Sequence, residues 1–472
     1  MNYRFFMITM LALTFALGLF PVEAGTILPF HLAIPASVST IGQQEGEQKL
    51  TLDRAVDLAM SNHPLIRATV SGRQMVDAQL SEAQAGHWPL LQFSEIFTRS
   101  NNPVFVFGSL LEQSRFGPEN FNIDSLNHPS PLNNFRTALI LRVPIFSQLE
   151  TDTKIAQARI GQEQADKQQE QVKQQVRLEV IRNYYGVLVA QAKKDVAAEG
   201  VKMAAADVKR IRDFFEKGLV VQSDLLAAEV QLAEFRQQEI QAAGEVIMTY
   251  AALNTSLGLP IHTPYKVAGK LAEKTFTVPA VEDLVRSALN YRPDYARANL
   301  MVRSMEKRVR GAWGQYLPKV DVFSTYGMSG QDLSSGSSDF AIGAGLTYNF
   351  LDRSRNAKID QARAAQSLAS AEQEHLANQI RLEVVRAYQQ YISVRQRLEL
   401  ATEVVAQARE ALRIVQDRYQ EGLTTITEVL RAQTAFMRTR QNLMGARYEY
   451  YVSYAHVLVA SGQLTDIQPF VS

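Results

Sequence analysis

Apolar residues recur at alternating spacings of three and four along much of the chain. Val201, Ala204, Val208, Ile211 and Phe215 form one such stripe, and Val405, Ala408, Leu412, Val415 and Tyr419 form a second. This spacing is the narrow seam of a coiled coil, not the broad apolar face of an ordinary surface helix. No proline falls between Leu149 and Lys217, where Ala, Gln, Glu, Lys, Arg and Leu dominate. All are good helix formers. The pattern predicts a helix over about 149–217, roughly 100 Å long at about 1.5 Å per residue. A tip at about 218–222 and a returning helix over about 223–257 follow. The whole stretch Phe146 to Gly258 then recurs as Phe350 to Gly462, at a constant offset of 204 residues. "KIAQAR" at 154–159 becomes "KIDQAR" at 358–363, and "FFEKGLVVQSDLL" at 214–226 becomes "RYQEGLTTITEVL" at 418–430. The second copy predicts a long helix over about 352–420, a tip at about 421–424 and a returning helix over about 425–460. A function must therefore be found for a doubled rod.

Before each rod the period changes from 3.6 to 2. Phe340, Ile342, Ala344, Leu346, Tyr348 and Phe350 point one way, and Ala341, Gly343, Gly345, Thr347 and Asn349 the other. Residues 135–145 and 320–328 alternate too, and Leu91, Phe93, Glu95 and Phe97 do so more weakly. Such strands have the length and pattern of transmembrane β-strands, although any one of them also suits a soluble sandwich. They make two hairpins, about 90–146 and about 319–350. The second closes through a short connection, "SGQDLSSGSSD" at 329–339, and the first through a long one, about 100–134, rich in Asn, Pro and Phe. Each hairpin follows a short amphipathic helix (50–64 or 281–293) and a longer helix opened by a proline, about 65–87 and 294–316. The longer helix and the returning helix together nearly match one rod, so stacked end to end they would lie beside it. Four strands cannot close a barrel, because the smallest membrane barrels have eight. Lipid does not tolerate an open edge. Strands in a membrane would thus require several copies of the chain, two or three.

Composition narrows the reading. The 472 residues are 46% hydrophobic and 21% charged, with a formal net charge of +1 and no cysteine. Nothing basic asks for nucleic acid. Disulfides, thiol nucleophiles and Fe–S clusters are excluded. Arg4, the apolar run Phe5–Phe20 and "VEA" before Gly25 describe a secretory signal over 1–24. An extended segment, 25–49, precedes the first repeat, 50–262. An equatorial linker, 263–280, leads to the second repeat, 281–462, and a tail, 463–472. The seven histidines are scattered, and no phosphate-binding, hydrolase-elbow, zinc or EF-hand motif appears. Ser304–Lys307 fits S-x-x-K, but inside a helix and without partner motifs. We expect no enzyme, cofactor or metal. Tyr448, Tyr450, Tyr451 and Tyr454 are expected to pack between helices near the equator.

The order signal, helix, hairpin, rod, Gly-Leu tip, returning helix, all repeated, resembles the TolC-like outer-membrane efflux proteins. The resemblance covers essentially all of 50–462, and its most specific marks are the tips "EKGLVVQSDLLAAEVQL" and "QEGLTTITEVLRAQTAF". It implies a mainly α fold with a small membrane β part: duplicated long-helix hairpins forming an α-helical barrel, and four transmembrane strands per chain in a trimeric 12-stranded β-barrel. It implies an outer-membrane location in a Gram-negative bacterium, with a long periplasmic part. It implies a passive exit duct for efflux or type I secretion, meeting a periplasmic adaptor and an inner-membrane transporter. A non-conducting, periplasm-spanning scaffold is the alternative. Gly218 and Gly422 permit the positive φ at which a helix can end and reverse. Leu219 and Leu423 follow as apolar knobs, and the resemblance places the adaptor contact on these four residues. Ser223 or Asp224, and Thr427 or Glu428, are expected to cap the returning helices. In the family, acidic residues just past the second tip narrow the pore. Glu428 stands at one such position, with Asp224 its counterpart in the first repeat. Arg431 stands where a second acid is expected, a departure that allows a Glu428–Arg431 pair instead.

Overall fold

The computed structural model describes residues 49–271 and 274–471. The expected signal over 1–24, and the extended segment except Lys49, lie outside the described residues. In chain order the first repeat comprises β1 (Lys49–Leu50), α1 (Leu52–Asn62), α2 (Pro64–Ala85), β2 (Leu90–Ser100), α3 (Pro103–Glu112), α4 (Ile123–Asn127), β3 (Leu132–Phe146), α5 (Glu150–Glu216) and α6 (Gln222–Ser256). The linker holds β4 (Lys266–Val267). The second repeat comprises α7 (Val281–Tyr291), α8 (Pro293–Trp313), β5 (Lys319–Asp332), β6 (Ser335–Thr347), α9 (Ser354–Gln420) and α10 (Ile426–Ala460), and α11 (Gln468–Val471) lies in the tail. Among the described residues no helix is long and apolar enough to cross a membrane.

The two rods, α5 and α9, have 67 residues each, and the two returning helices 35 each. The rod α5 packs against both α2 and α6, while α9 packs against both α8 and α10. In addition, α5 touches α8 and α10. The helices thus form a row of four columns: α2 with α6, then α5, then α8 with α10, then α9. Of the seam residues, Ala204, Val208, Ile211, Val405 and Leu412 are buried, while Phe215 remains exposed.

The largest core among the described residues lies near mid-length, where Tyr184, Tyr185, Tyr391, Tyr450, Tyr451 and Tyr454 are buried. Their hydroxyls tie irregular segments to the rods. Tyr184 donates to the carbonyl of Ala268 at 2.6 Å, Tyr391 to that of Phe276 at 2.8 Å, and Tyr185 to that of Phe470 at 3.2 Å. Burial pushes the Tyr184 hydroxyl up to about 12. Of the tail, Leu464, Ile467 and Phe470 are buried in this core. The linker is not merely a tether, since β4 pairs in parallel with β1.

A two-pronged arginine fastens the equator of the second repeat. Arg292 binds Asp294 through Nη2–Oδ2 at 2.7 Å and Nε–Oδ1 at 3.0 Å, and its Nη1 reaches Glu383 Oε2 at 2.9 Å. Burial alone would raise the Asp294 carboxyl, but the Arg292 guanidinium and the backbone N–H of Tyr295 together more than offset it and hold the group below the usual carboxylate range. The stabilisation is whole above that range and is lost as pH falls through the lower, folded-state value. Between about pH 5 and pH 3 the melting midpoint of the native chain should therefore fall more steeply than that of Asp294→Asn. Equal slopes in a thermal melt series would remove Asp294 from the account.

Strands β2, β3, β5 and β6 form one antiparallel sheet in that order, with both outer edges unpaired in the chain. In register, Phe93, Leu139, Tyr326 and Phe340 share one row and one face. All four are exposed, Phe340 at 76%. The neighbouring row on the other face is Ser94, Ala138, Gly327 and Asp339.

Two connections depart from expectation. The second hairpin turns on Leu333 and Ser334 alone, so most of the expected 329–339 connection is strand. Asp332 Oδ1 accepts from the backbone N–H groups of Ser334 (3.0 Å) and Ser335 (2.9 Å), which closes the turn without a longer loop. The long connection over about 100–134 contains the helix α3. Asn102 caps it by accepting from the N–H groups of Val104 (3.0 Å) and Phe105 (3.1 Å), and Pro103 takes the first position.

Candidate functional site

At the end of the molecule far from the sheet, both rods stop in the same way. Gly218 has φ 70° and Gly422 φ 69°. Gly218 N–H donates to Phe215 O and Leu219 N–H to Phe214 O, both at 2.9 Å; Gly422 N–H donates to Tyr419 O at 3.0 Å and Leu423 N–H to Arg418 O at 2.8 Å. These paired bonds close the last carbonyls of a helix around a left-handed residue. The next residues, Leu219 and Leu423, are 67% and 66% exposed. The same apolar knob thus stands at the same place in both repeats.

The returning helices start without side-chain caps. Val221 and Thr425 hold the cap positions in extended backbone, and neither makes a capping hydrogen bond. Ser223, Asp224, Thr427 and Glu428 fall inside the first helical turn, because only three residues separate each glycine from its returning helix. Asp224 and Glu428 still face the positive end of a helix dipole.

The three gate candidates are not equivalent. Glu428 and Arg431 are exposed and joined, Nη1 to Oε1, at 2.9 Å. An exposed pair of this kind contributes about 0–1 kcal/mol. Asp224 is half-buried instead and acts on Tyr419, whose hydroxyl is pushed up mainly by burial and further by the Asp224 carboxylate.

Beneath the surface the two hairpins share a core of Val208, Ile211, Ala228, Ile426, Val429 and Leu430. Within it lies a polar contact that the apolar periodicity did not indicate. Gln433 of α10, 1% exposed, donates from Nε2 to the carboxylate of Asp207 in α5, itself 6% exposed. Higher up, Gln231 Nε2 donates to Thr434 Oγ1 at 2.7 Å, and Arg440 pairs with Glu199. One signal was available: Asp207 sits beside the seam residue Val208, whereas Ala411 holds the equivalent place in the second rod. Among the described residues no cluster of side chains suits a metal ion.

A family model described as "Outer membrane efflux protein" matches residues 55–259 and 284–463. The TolC outer membrane protein of Vibrio cholerae is 24% identical over 332 residues, 68% of this chain and 74% of that protein. The CyaE protein of Bordetella pertussis is 25% identical over 426 residues, 88% and 84% of the two chains. The crystal structure of the Campylobacter jejuni CmeC outer membrane channel has the same fold, with a TM-score of 0.74 at 18% identity, covering 87% of this chain and 85% of that one. With each repeat matched almost end to end, the chain belongs to the outer membrane efflux proteins, and its rods form the long periplasmic part of an outer-membrane protein.

Proposed function

We propose that this outer-membrane efflux protein is a passive exit duct, walled by three copies and opened from its periplasmic tip by an adaptor. One observation carries the reading. The chain ends in unpaired surfaces at both heights: β2 and β6 are open sheet edges, and the outer columns expose Met75, Ile240, Ile247 and Met248 on one side and Leu368 and Leu400 on the other. Open edges do not persist in lipid. Three copies would pair every edge and give twelve strands and twelve columns. An inner-membrane transporter would supply the energy.

At the tip, Gly218, Leu219, Gly422 and Leu423 would receive the adaptor, and Asp224, Glu428 and Arg431 would line the mouth. Because Arg431 neutralises Glu428 locally, the mouth should prefer cations less than a ring of free carboxylates would. The deciding experiment is conductance of the purified protein in planar bilayers. Discrete channels are expected, whereas a protein that oligomerises and inserts yet never conducts is the scaffold of the alternative reading.

A side-chain carbon added at either tip glycine would meet nothing within 4 Å, so space is not the constraint there. Gly422→Val should cost about 1–2 kcal/mol through the left-handed backbone alone. It should leave oligomers intact while impairing efflux through the assembled system. Unchanged efflux would remove the tip from the adaptor contact.

A further inference from the structure

The duplication leaves two halves of one contact unused. Within the chain the first rod, α5, packs against the second returning helix, α10. Glu199 of α5 and Arg440 of α10 form an ion pair across this seam. At the offset of 204 residues Glu199 corresponds to Glu403 on α9, and Arg440 to Arg236 on α6. Both residue types are kept, yet Glu403 and Arg236 stand on the outer columns at opposite ends of the row. Among the described residues Arg236 makes no hydrogen bond or ion pair, and Glu403 accepts from Gln407 Nε2 alone, one turn along its own helix, at 3.0 Å.

Apolar positions show the same imbalance. Val196 of α5, in a core shared with Phe436, Met437 and Leu443 of α10, is 4% exposed, while its counterpart on α9, Leu400, is 60% exposed. The Tyr451 ring of α10 lies 4.3 Å from that of Tyr185 in α5 and is 3% exposed, while its counterpart on α6, Ile247, is 72% exposed. Leu430 of α10 is buried with Val208 and Ile211 of α5, and its counterpart on α6, Leu226, is exposed. Three residues buried at the α5–α10 seam thus have apolar counterparts left bare on α9 or α6.

We propose that a second copy covers them: its α6 packs on α9 as α10 packs on α5, and Glu403 of one copy pairs with Arg236 of the next. The proposal rests on the shared-pore reading and names the residues of its seam. A copy of the same chain brings both halves of the contact by construction, and an unrelated partner would not. The two surfaces differ, so the contact runs head to tail and repeats in one direction until a ring closes. Burial of Leu226, Ile247 and Leu400 drives the association. The ion pair, partly exposed like its template, sets the register more than the affinity.

The chain has no cysteine, so introduced cysteines report without background. In purified full-length oligomers a short bismaleimide should convert the double variant Arg236→Cys with Glu403→Cys into covalent oligomers. Either substitution alone should leave the copies unlinked, because equivalent positions stand a whole chain's width apart. Arg236→Glu sets two carboxylates facing at each seam and should lower the thermal dissociation midpoint of the oligomer by about 3 °C or more. Adding Glu403→Arg, which swaps the charges, should recover most of that loss, whereas adding Glu199→Arg, on the other rod, should not. Intact, conducting oligomers in which the double cysteine variant stays unlinked and the charge swap recovers nothing overturn this seam and leave the shared pore standing. A protein that proves monomeric overturns both.

Discussion

Replacing Gly258 or Gly462 by valine is expected to destabilise the fold by about 2–5 kcal/mol, enough to remove most folded protein from the membrane fraction. Both glycines end returning helices, with φ of 70° and 75°, and close them with the same pair of backbone bonds seen at the tips. What differs is the space around them. A side-chain carbon on Gly258 would sit 2.7 Å from the carbonyl oxygen of Asn62, and one on Gly462 would sit 2.8 Å from the backbone nitrogen of Arg292. These are the joints where α6 meets the start of α2 and α10 meets the start of α8. The obstructing atoms are backbone and cannot rotate away. A β-branched residue adds its own strong aversion to positive φ. Thermal melts in detergent should therefore rank Gly258→Val and Gly462→Val well below Gly218→Val and Gly422→Val. Equal losses at all four positions would mean that φ alone matters and that the end-to-end stacking of helices contributes nothing.

The second large effect is expected at Gln433. Gln433→Leu leaves the buried Asp207 carboxylate without its amide donor, with Arg210, at 4.0 Å and half exposed, the nearby cation. Stranding a buried carboxylate costs about 2–4 kcal/mol. The damage should be local to the junction of the two hairpins. Faster amide exchange is expected over about 205–215 and 426–436, with a higher resting conductance if that junction holds the mouth narrow. The double replacement Asp207→Leu with Gln433→Leu should recover most of the stability, since a buried polar pair is often replaced by apolar residues without loss. The cycle of single and double variants isolates the coupling. A double variant no more stable than Gln433→Leu would show that the pair is not what joins the hairpins.

Much of this architecture is legible along the chain because rods and strands are local. A stripe such as Val201, Ala204, Val208 and Ile211 declares a helix without knowing its partner, and the helix expected over about 149–217 ends within a residue of α5 at each end. The alternation from Phe340 onward likewise declares a strand and its two faces. Duplication then does what one copy cannot, because a feature seen twice 204 residues apart is independent of local accident. The resemblance carried by the tips supplied the family, and the matched repeats agree with it.

Where the reading fell short, either a local cap went unread or the deciding partner lay far off in sequence. "PVFVFGSLLE" reads as loop because it is flanked by prolines, asparagines and glycine, although Asn102 and Pro103 are themselves a helix start. Serines and glycines at 329–339 look like a connection, yet Asp332 alone suffices to turn the hairpin. Nothing along the chain shows that Leu464, Ile467 and Phe470 of the tail meet the tyrosine core. Along the chain Gly218, Gly258, Gly422 and Gly462 are alike, each a helix stop. Periodicity and composition determine the elements, their order, their doubling and the apolar side of each, because these depend on residues one or two turns apart. Only the packed structure decides which glycine is crowded and which carboxylate is buried, because those follow from contacts between segments that the backbone brings together from a hundred or more residues away.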